Sequence, residues 1–223
     1  MPRETPSVSR EDYLKAIWEL VQDGQSPISA RLADELRVTP PAVTAAIKRM
    51  ARDGLLRVER GGRIRLTPRG RSEAKRLALR HQLAEKLLTD VIGLDWTRAH
   101  DAAERLEHGL SQEVEALLLK RFGADSSCPH GLPLRGGLAR LRRSRGAIAL
   151  SELPVGRTVE ILCVYEKDPR FLQFLESHSL RPGVRIRVLR REYDETTTVS
   201  VAGRKVYLGK PATSRIWGRS VAS

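Results

Sequence analysis

The stretch 29–67, SARLADELRVTPPAVTAAIKRMARDGLLRVERGGRIRLT, decides how the N-terminal part of the chain folds. Its spacing of apolar residues predicts a short helix over residues 29–36. Pro40–Pro41 open a second helix, because proline in the first helical turn loses no hydrogen bond. A strand, a hairpin turn and a returning strand follow, at 55–59, 60–63 and 64–67. Preceded by an amphipathic helix, this order is typical of a winged helix-turn-helix.

Such a fold places its third helix in the major groove of DNA and its wing along the phosphate backbone. We expect base contacts from the start of the third helix, at Thr39, Pro41 and Thr44. The candidates for phosphate contacts are Lys48, Arg49, Arg60, Arg63 and Arg65. Residues 48–71 contain 9 basic and only 2 acidic side chains. A stretch of this kind usually faces a polyanion, although a merely basic soluble surface is the alternative.

The net charge of +13 over 223 residues is divided unevenly. Residues 1–72 carry 14 basic and 9 acidic groups, whereas residues 73–134 carry 8 and 10. Residues 135–152 have 5 arginines and 1 glutamate, and residues 153–223 have 13 basic and 7 acidic groups. The chain has no apolar run of membrane-spanning length, its first residues do not resemble a signal peptide, and its two cysteines form no disulfide framework. We therefore expect a cytoplasmic protein without a membrane partner.

A second informative stretch is 100–108, HDAAERLEH. Residues three and four apart share one face of a helix, so the two histidines and two glutamates of this stretch form a row. The row is about 12 Å long, which is enough for two metal ions. His81 and Glu85 have the same spacing on the preceding helix. Imidazole and carboxylate suit Mn, Fe or Zn, while a solvated helix face is the alternative interpretation.

The C-terminal part differs in character from these helices. Residues 135–152 are rich in Gly and Arg and predict a flexible linker. Beyond it, short β-rich runs separated by turns predict a small five-stranded barrel with one helix at 169–178. The leucine and alanine surplus of residues 67–122 exceeds what a small DNA-binding unit buries. It predicts a homodimer interface, since two-fold proteins bind palindromic DNA sites.

Several stretches resemble the diphtheria toxin repressor family of metal-dependent transcription regulators. They are Tyr13-Leu14 with Ile17, residues 49–55, 81–94 and 100–108, and Cys128-Pro129-His130-Gly131. The resemblance covers essentially the whole chain and implies that the barrel is of the Src-homology-3 type. The implied fold class is mainly α with a small β domain. Its parts are a winged helix-turn-helix DNA-binding domain (1–72), a helical metal-binding and dimerisation domain (73–134), the linker (135–152) and the barrel (153–223).

The resemblance also implies a primary metal site with ligands from the first and the central helix. These ligands are Asp12, Glu104, Glu107 and His108. The iron-dependent branch has Met and Cys at the first two positions, and carboxylates in place of sulfur harden the site. The chain therefore resembles the manganese-dependent branch. Lys15 stands where some manganese regulators carry a further Glu, which argues against a binuclear site of that type.

An ancillary site is implied at His81, Glu85 and His100. A barrel side chain can complete this site in relatives, and Asp168 is the best-placed candidate here. The alternative is that Asp168 only begins the helix at residue 169. These two sites give two metal ions per subunit.

The two cysteines receive different interpretations. Cys128 aligns with a cysteine that binds the primary metal in streptococcal manganese regulators, and the alternative is a small buried turn residue. We expect His130 to support that turn rather than to bind metal. Cys163 alternates with apolar neighbours and is expected in the core.

These features predict a repressor that binds double-stranded operator DNA as a homodimer when Mn(II) is bound, without enzymatic activity or a small-molecule substrate. We expect it to regulate metal-homeostasis genes such as those of manganese transporters. Metal favours the DNA-competent state in this hypothesis, and activation should weaken in acid because the ligands must be deprotonated. One alternative within the family responds to Fe(II) or Zn(II). The others are a metallohydrolase built on residues 100–108 and a metal-free winged-helix protein.

Overall fold

A computed structural model describes residues 9–221 of the chain. It contains two compact units, with the boundary between Arg80 and His81. The first unit corresponds closely to the predicted DNA-binding domain. The second combines the predicted helical domain with the predicted barrel.

The first unit has the element order of a winged helix-turn-helix, as predicted. Its elements are α1 (Arg10–Gln22), α2 (Ser29–Leu36), α3 (Pro40–Arg52), β1 (Leu56–Val58), β2 (Ile64–Leu66) and the beginning of α4 (Pro68–Lys86). The strands pair antiparallel in the register Leu56↔Leu66. Gly61 and Gly62 take positive φ at the tip of this hairpin, the wing.

The core of the first unit is built from the apolar stripes of α1, α2 and α3 together with the wing. Leu14, Leu32 and Met50 are fully buried there. Gly70 allows the start of α4 to approach the strand region, since a Cβ atom at this position would lie 2.0 Å from the carbonyl oxygen of Leu55. Local sequence signals and packing therefore agree in this unit.

The second unit combines helices with an antiparallel sheet. Its helices are the remainder of α4, which continues as a π-helical turn at Leu87–Val91, and α5 (Trp96–Leu106), α6 (Gln112–Phe122), α7 (Gly137–Arg145), α8 (Pro169–Ser177) and α9 (Lys210–Thr213). Its strands are β3 (Ile148–Ala149), β4 (Thr158–Val164), β5 (Arg185–Arg191), β6 (Thr197–Val201), β7 (Arg204–Leu208) and β8 (Ile216–Val221). The strand order is β3-β8-β4-β5-β6-β7.

The C-terminal region differs from the sequence expectation in two respects. The segment expected to be a flexible linker forms α7 and β3, because Leu138 and Leu141 pack against Leu162 and Cys163 of β4. β3 adds a sixth strand to the five that were predicted. The burial of Cys163 agrees with its expected place in the core.

Among the described residues, no helix combines the length and the apolar character that a membrane span requires.

Candidate metal centre and DNA-binding surface

The i, i+4 pair on α4 and the first histidine of α5 meet in the interior of the second unit. His81 Nε2 lies 3.2 Å from Glu85 Oε1 and 2.9 Å from His100 Nδ1. Nδ1 of His100 is 3.4 Å from the same Glu85 oxygen. All three side chains are buried. The structure thus brings together the three ancillary-site residues implied by the resemblance.

The carboxylate that completes this group comes from Glu166, just after β4. Glu166 Oε1 lies 3.8 Å from His100 Nδ1, and the side chain is buried. Asp168, the candidate expected from the sequence, instead caps the N-terminus of α8 and pairs with Arg215 at 3.0 Å. Glu166 therefore replaces Asp168 in the candidate ligand set. We call His81, Glu85, His100 and Glu166 the histidine cluster; their ligand atoms lie within 4.8 Å of one another.

The Cys128–Gly131 turn carries two further donors into the same region. Val164 N donates to the carbonyl of His130 at 3.0 Å, which attaches this turn to β4. Gly131 has φ +92°, and a Cβ atom there would lie 2.1 Å from the carbonyl oxygen of Leu162. Only glycine fits so close to the strand backbone in this conformation.

His130 does more than support its turn, because both of its ring nitrogens face groups outside the turn. Its Nε2 lies 3.0 Å from the carbonyl oxygen of Trp96, which assigns the proton to Nε2 and turns Nδ1 inward. Nδ1 lies 3.2 Å from Glu85 Oε1 and 3.4 Å from Glu166 Oε2. Cys128 Sγ is 3.8 Å from Glu166 Oε2. Glu85, Cys128, His130 and Glu166 form a second group, the cysteine cluster, whose ligand atoms also lie within 4.8 Å.

The two clusters share Glu85 and Glu166, and their electrostatics suit a cation. Burial would raise the pKa of Glu85, but His130 and His81 hold that pKa well below its usual range. Burial would lower the pKa of His130, and Glu85 nevertheless raises it well above the ordinary value. Burial raises the pKa of the Cys128 thiol, and the two carboxylates raise it further.

Unsatisfied polar atoms give a direct test of whether a metal ion fits these residues. Glu85 Oε2 is buried and lacks a hydrogen-bond partner among the described residues, while the buried His130 Nδ1 faces the Glu85 and Glu166 carboxylates. Such groups are costly unless a ligand compensates them. Imidazole, carboxylate and thiol donors within one buried space are the groups that divalent transition metals use. The residues fit a metal ion.

The primary-site residues implied by the resemblance are placed as follows within their own units. Glu107 is buried and accepts a short hydrogen bond from His81 Nδ1, while Glu104 Oε1 lies 3.7 Å from His100 Nε2. His108 is partly exposed, with Nε2 at 3.8 Å from Glu107 Oε1. Asp12, in the first unit, accepts a 2.7 Å hydrogen bond from Ser9 N in a capping box of α1. The primary site remains a prediction.

The contacts of Glu107 and Glu104 have a consequence for the histidine cluster. Each of its two imidazoles has its second ring nitrogen facing a carboxylate that the resemblance assigns to the other site. Carboxylates behind metal-binding histidines orient the ring and raise its basicity. The arrangement therefore provides a physical connection between the two proposed metal sites.

The predicted DNA contacts all lie on the surface of the first unit. Thr39 precedes α3, and Thr44 Oγ1 donates to the carbonyl of Pro40 at 3.0 Å. Arg65 on the wing pairs with Glu59 at 3.2 Å. All eight predicted residues are exposed: Thr39, Pro41, Thr44, Lys48, Arg49, Arg60, Arg63 and Arg65. A winged helix with this exposed basic surface and a buried group of metal-type donors in the same chain are together typical of a metal-responsive DNA-binding regulator.

Three family models match the chain in succession. Residues 7–62 match the N-terminal DNA-binding domain of iron-dependent repressors. Residues 67–134 match their metal-binding and dimerisation domain, and residues 148–220 match the FeoA domain. These matches follow the order of the predicted domains.

Individual relatives agree with these matches. The chain is 35% identical to the diphtheria toxin repressor of Corynebacterium efficiens over 191 residues, which are 82% of this chain and 83% of that protein. It is 38% identical to the iron-dependent repressor IdeR of Mycobacterium leprae over 158 residues, 68% of this chain and 69% of that one. A structure of a manganese-dependent transcriptional repressor in complex with manganese superimposes with a TM-score of 0.84 at 30% identity, covering 96% of this chain and all of the other.

The chain belongs to the diphtheria toxin repressor family of iron-dependent repressors. It is a metal-dependent transcriptional repressor of that family, whose members are DNA-binding proteins rather than enzymes. Both the fold class and the family inferred from the sequence are confirmed.

Proposed function

We propose that this protein is a Mn(II)-dependent repressor that controls genes of metal-ion homeostasis, such as those for manganese transport. The observation that carries the metal response is the pair of buried clusters, in which Glu85 Oε2 lacks a hydrogen-bond partner among the described residues. Glu85 and Glu166 belong to both clusters, so these two carboxylates would help to hold an ion in either of them. A bound ion supplies positive charge at this point, and the protein supplies preorganised nitrogen and oxygen donors.

Support for manganese comes from the ligand types of the proposed primary site. Its four residues, Asp12, Glu104, Glu107 and His108, offer oxygen and nitrogen but no sulfur. Hard ligands suit Mn(II) and reduce the advantage of thiophilic ions. Without metal, the three carboxylates repel one another, so metal favours the state that includes all four. Protonated imidazole does not bind metal, and activation should therefore weaken in acid.

A second candidate within the family is a response to Fe(II) or Zn(II). The observation that favours it is the Cys128 sulfur in the cysteine cluster, 3.8 Å from Glu166. Thiolate is a soft ligand, and both ions also bind more tightly than Mn(II) in most sites of this kind.

Operator binding under controlled metal supply tests the proposed function. Promoter DNA from the genomic neighbourhood is titrated by fluorescence anisotropy without metal and with buffered Mn(II), anaerobic Fe(II) or Zn(II). We expect Mn(II) to tighten binding at least about tenfold, within the usual range of allosteric coupling. Asp12→Asn keeps an acceptor for the α1 capping box but should lose this effect, whereas exposed Asp53→Asn should retain it.

Three outcomes are informative. Activation by Fe(II) or Zn(II) at free concentrations that are physiological for those ions, without activation by Mn(II), would select the second candidate. DNA binding that is equally tight in the presence of a chelator would overturn the metal switch. Retention of the full Mn(II) effect in Asp12→Asn would remove Asp12 from the ligand set.

We also propose that the exposed apolar side chains of the helical part form the dimer interface. Val114 and Leu117 lie three residues apart on α6, and Leu117 is 59% exposed. Val91 and Ile92, after α4, are exposed as well.

Leu117→Glu is expected to convert a dimer into a monomer in analytical ultracentrifugation, because it places a charge in a desolvated contact. Val155→Glu, at a 50% exposed valine near the sheet, should remain dimeric. A Leu117→Glu dimer of unchanged affinity would contradict this assignment.

A further inference from the structure

The outer face of the C-terminal sheet carries cations that the metal centre does not use. On β5, Ile186 and Val188 are buried while Arg185 and Arg187 are exposed. Successive residues of a strand point to opposite faces, so the two arginines share the outer face and lie about 7 Å apart.

The strand register extends this row across the sheet. Arg187 lies opposite Ser200 of β6, which lies opposite Lys205 of β7. Arg185 lies opposite Glu160 of β4. Neighbouring strands are about 4.8 Å apart, so these side chains belong to one continuous surface.

The acidic residue on this surface is already compensated. Arg219 of β8 donates from Nε and Nη2 to Glu160 Oε2 at 2.9 and 2.7 Å. Arg145, at the end of α7, donates to Glu160 Oε1 at 3.0 Å. Two arginines on one glutamate leave a positive balance. The contact between Arg145 and Glu160 also places the last turn of α7, which includes the exposed Arg142, beside the sheet.

We propose that this surface, the basic face, is a second contact for the phosphate backbone of double-stranded DNA. It comprises Arg142, Arg145, Arg185, Arg187, Lys205 and Arg219. Long cationic side chains at repeated spacing suit a regular polyanion and need not read its sequence. Tyr207 on β7 is 64% exposed on the same side of its strand as Lys205 and adds a further hydrogen-bond donor toward phosphate.

DNA is favoured over other polyanions because the same polypeptide carries a winged helix. Once the winged helix is bound, a second cationic surface encounters the same DNA at a high effective concentration. The proposal rests on the DNA-binding part of the proposed function and is independent of which metal activates it.

The salt dependence of DNA binding tests this proposal. The full-length variant Arg185→Gln/Arg187→Gln/Lys205→Gln removes three cations from exposed positions. Its matched control, Arg98→Gln/Arg170→Gln/Lys210→Gln, removes the same charge from exposed positions outside the basic face. Anisotropy titrations of a promoter duplex at several salt concentrations, without metal and at saturating metal, give the slope of log K against log[salt] and the effect of metal for each protein.

Each lost phosphate contact should flatten this slope by about 0.9, and we expect a total change of at least about 2 for the basic-face variant. The control should keep a slope closer to that of the wild type, and the ratio of affinities with and without metal should be unchanged in both variants. Equal slopes in the two variants would overturn the proposal. Equal slopes combined with weakened binding of the basic-face variant to phosphatidylserine vesicles would assign the surface to a membrane instead. If metal does not change DNA binding by the wild type, the proposed metal switch is refuted. The salt slopes of the basic-face variant and its control can still be compared in that case.

Discussion

Glu85→Gln is expected to lower the Mn(II) affinity of the buried centre by at least about 100-fold. Changes to groups that only support a metal ligand already lower metal affinity about 10–100-fold, and Glu85 is proposed as a ligand itself. Its Oε1 lies within 3.4 Å of ring nitrogens from His81, His100 and His130. Glutamine preserves the shape of the side chain but removes the negative charge that faces these three imidazoles.

Isothermal titration calorimetry of metal-free protein against Mn(II) gives both the number of ions bound and their affinities. Glu152→Gln, at an exposed position, is the matched control and should behave like the wild type. Thermal unfolding in chelator shows whether the Glu85 variant is folded. A folded Glu85→Gln protein that binds as many Mn(II) ions as the wild type, with equal affinity, would contradict the proposed centre.

The histidine cluster could be predicted in large part because its residues obey helical spacing. His81 and Glu85 are four residues apart on α4, and His100 begins the row on α5. Periodicity alone places such residues on one face, and the family resemblance supplies the contact between the two helices. The wing could also be predicted from the sequence, since the alternation of apolar and polar residues on both sides of Gly61 and Gly62 is a local signal.

Glu166 and His130 were not identified as candidate ligands because loops position both. Glu166 and Asp168 are two acids separated by one residue after β4, and sequence does not tell which of them faces inward. One signal favoured the structural role of Asp168: an acidic residue directly before Pro169 is typical of a helix N-cap. The direction of His130 depends on the Trp96 carbonyl, which lies 34 positions away in the chain.

Helix α7 was expected to be a flexible linker for a related reason. Its nine residues, Gly137–Arg145, contain four arginines and two leucines, a composition that resembles a linker. Leu138 and Leu141 have helical spacing, but the apolar surface that covers them comes from β4. The helix is stabilised by packing that is formed only when the sheet is present. The basic face likewise depends on strand register, which charge counts do not reveal.

The two candidate functions differ in which metal ion activates the protein, and a measured metal preference distinguishes between them. In the iron-dependent branch of the family, as the resemblance implies, the positions of Asp12 and Glu104 carry methionine and cysteine. Asp12 lies in the first turn of α1 and Glu104 on the exposed side of α5. Neither side chain belongs to a hydrophobic core cluster of the described residues, so both positions can be changed with limited effect on folding.

The double variant Asp12→Met/Glu104→Cys is expected to shift activation from Mn(II) toward Fe(II). Two soft sulfur ligands in place of two carboxylates should change the ratio of free Mn(II) to free Fe(II) needed for half-maximal operator binding by at least about 100-fold. Anaerobic anisotropy titrations with buffered metals measure this ratio. Asp101→Met/Glu152→Cys introduces the same side chains at other positions and controls for binding to an added thiol. An unchanged preference for Mn(II) in the double variant would show that Asp12 and Glu104 do not set the selectivity.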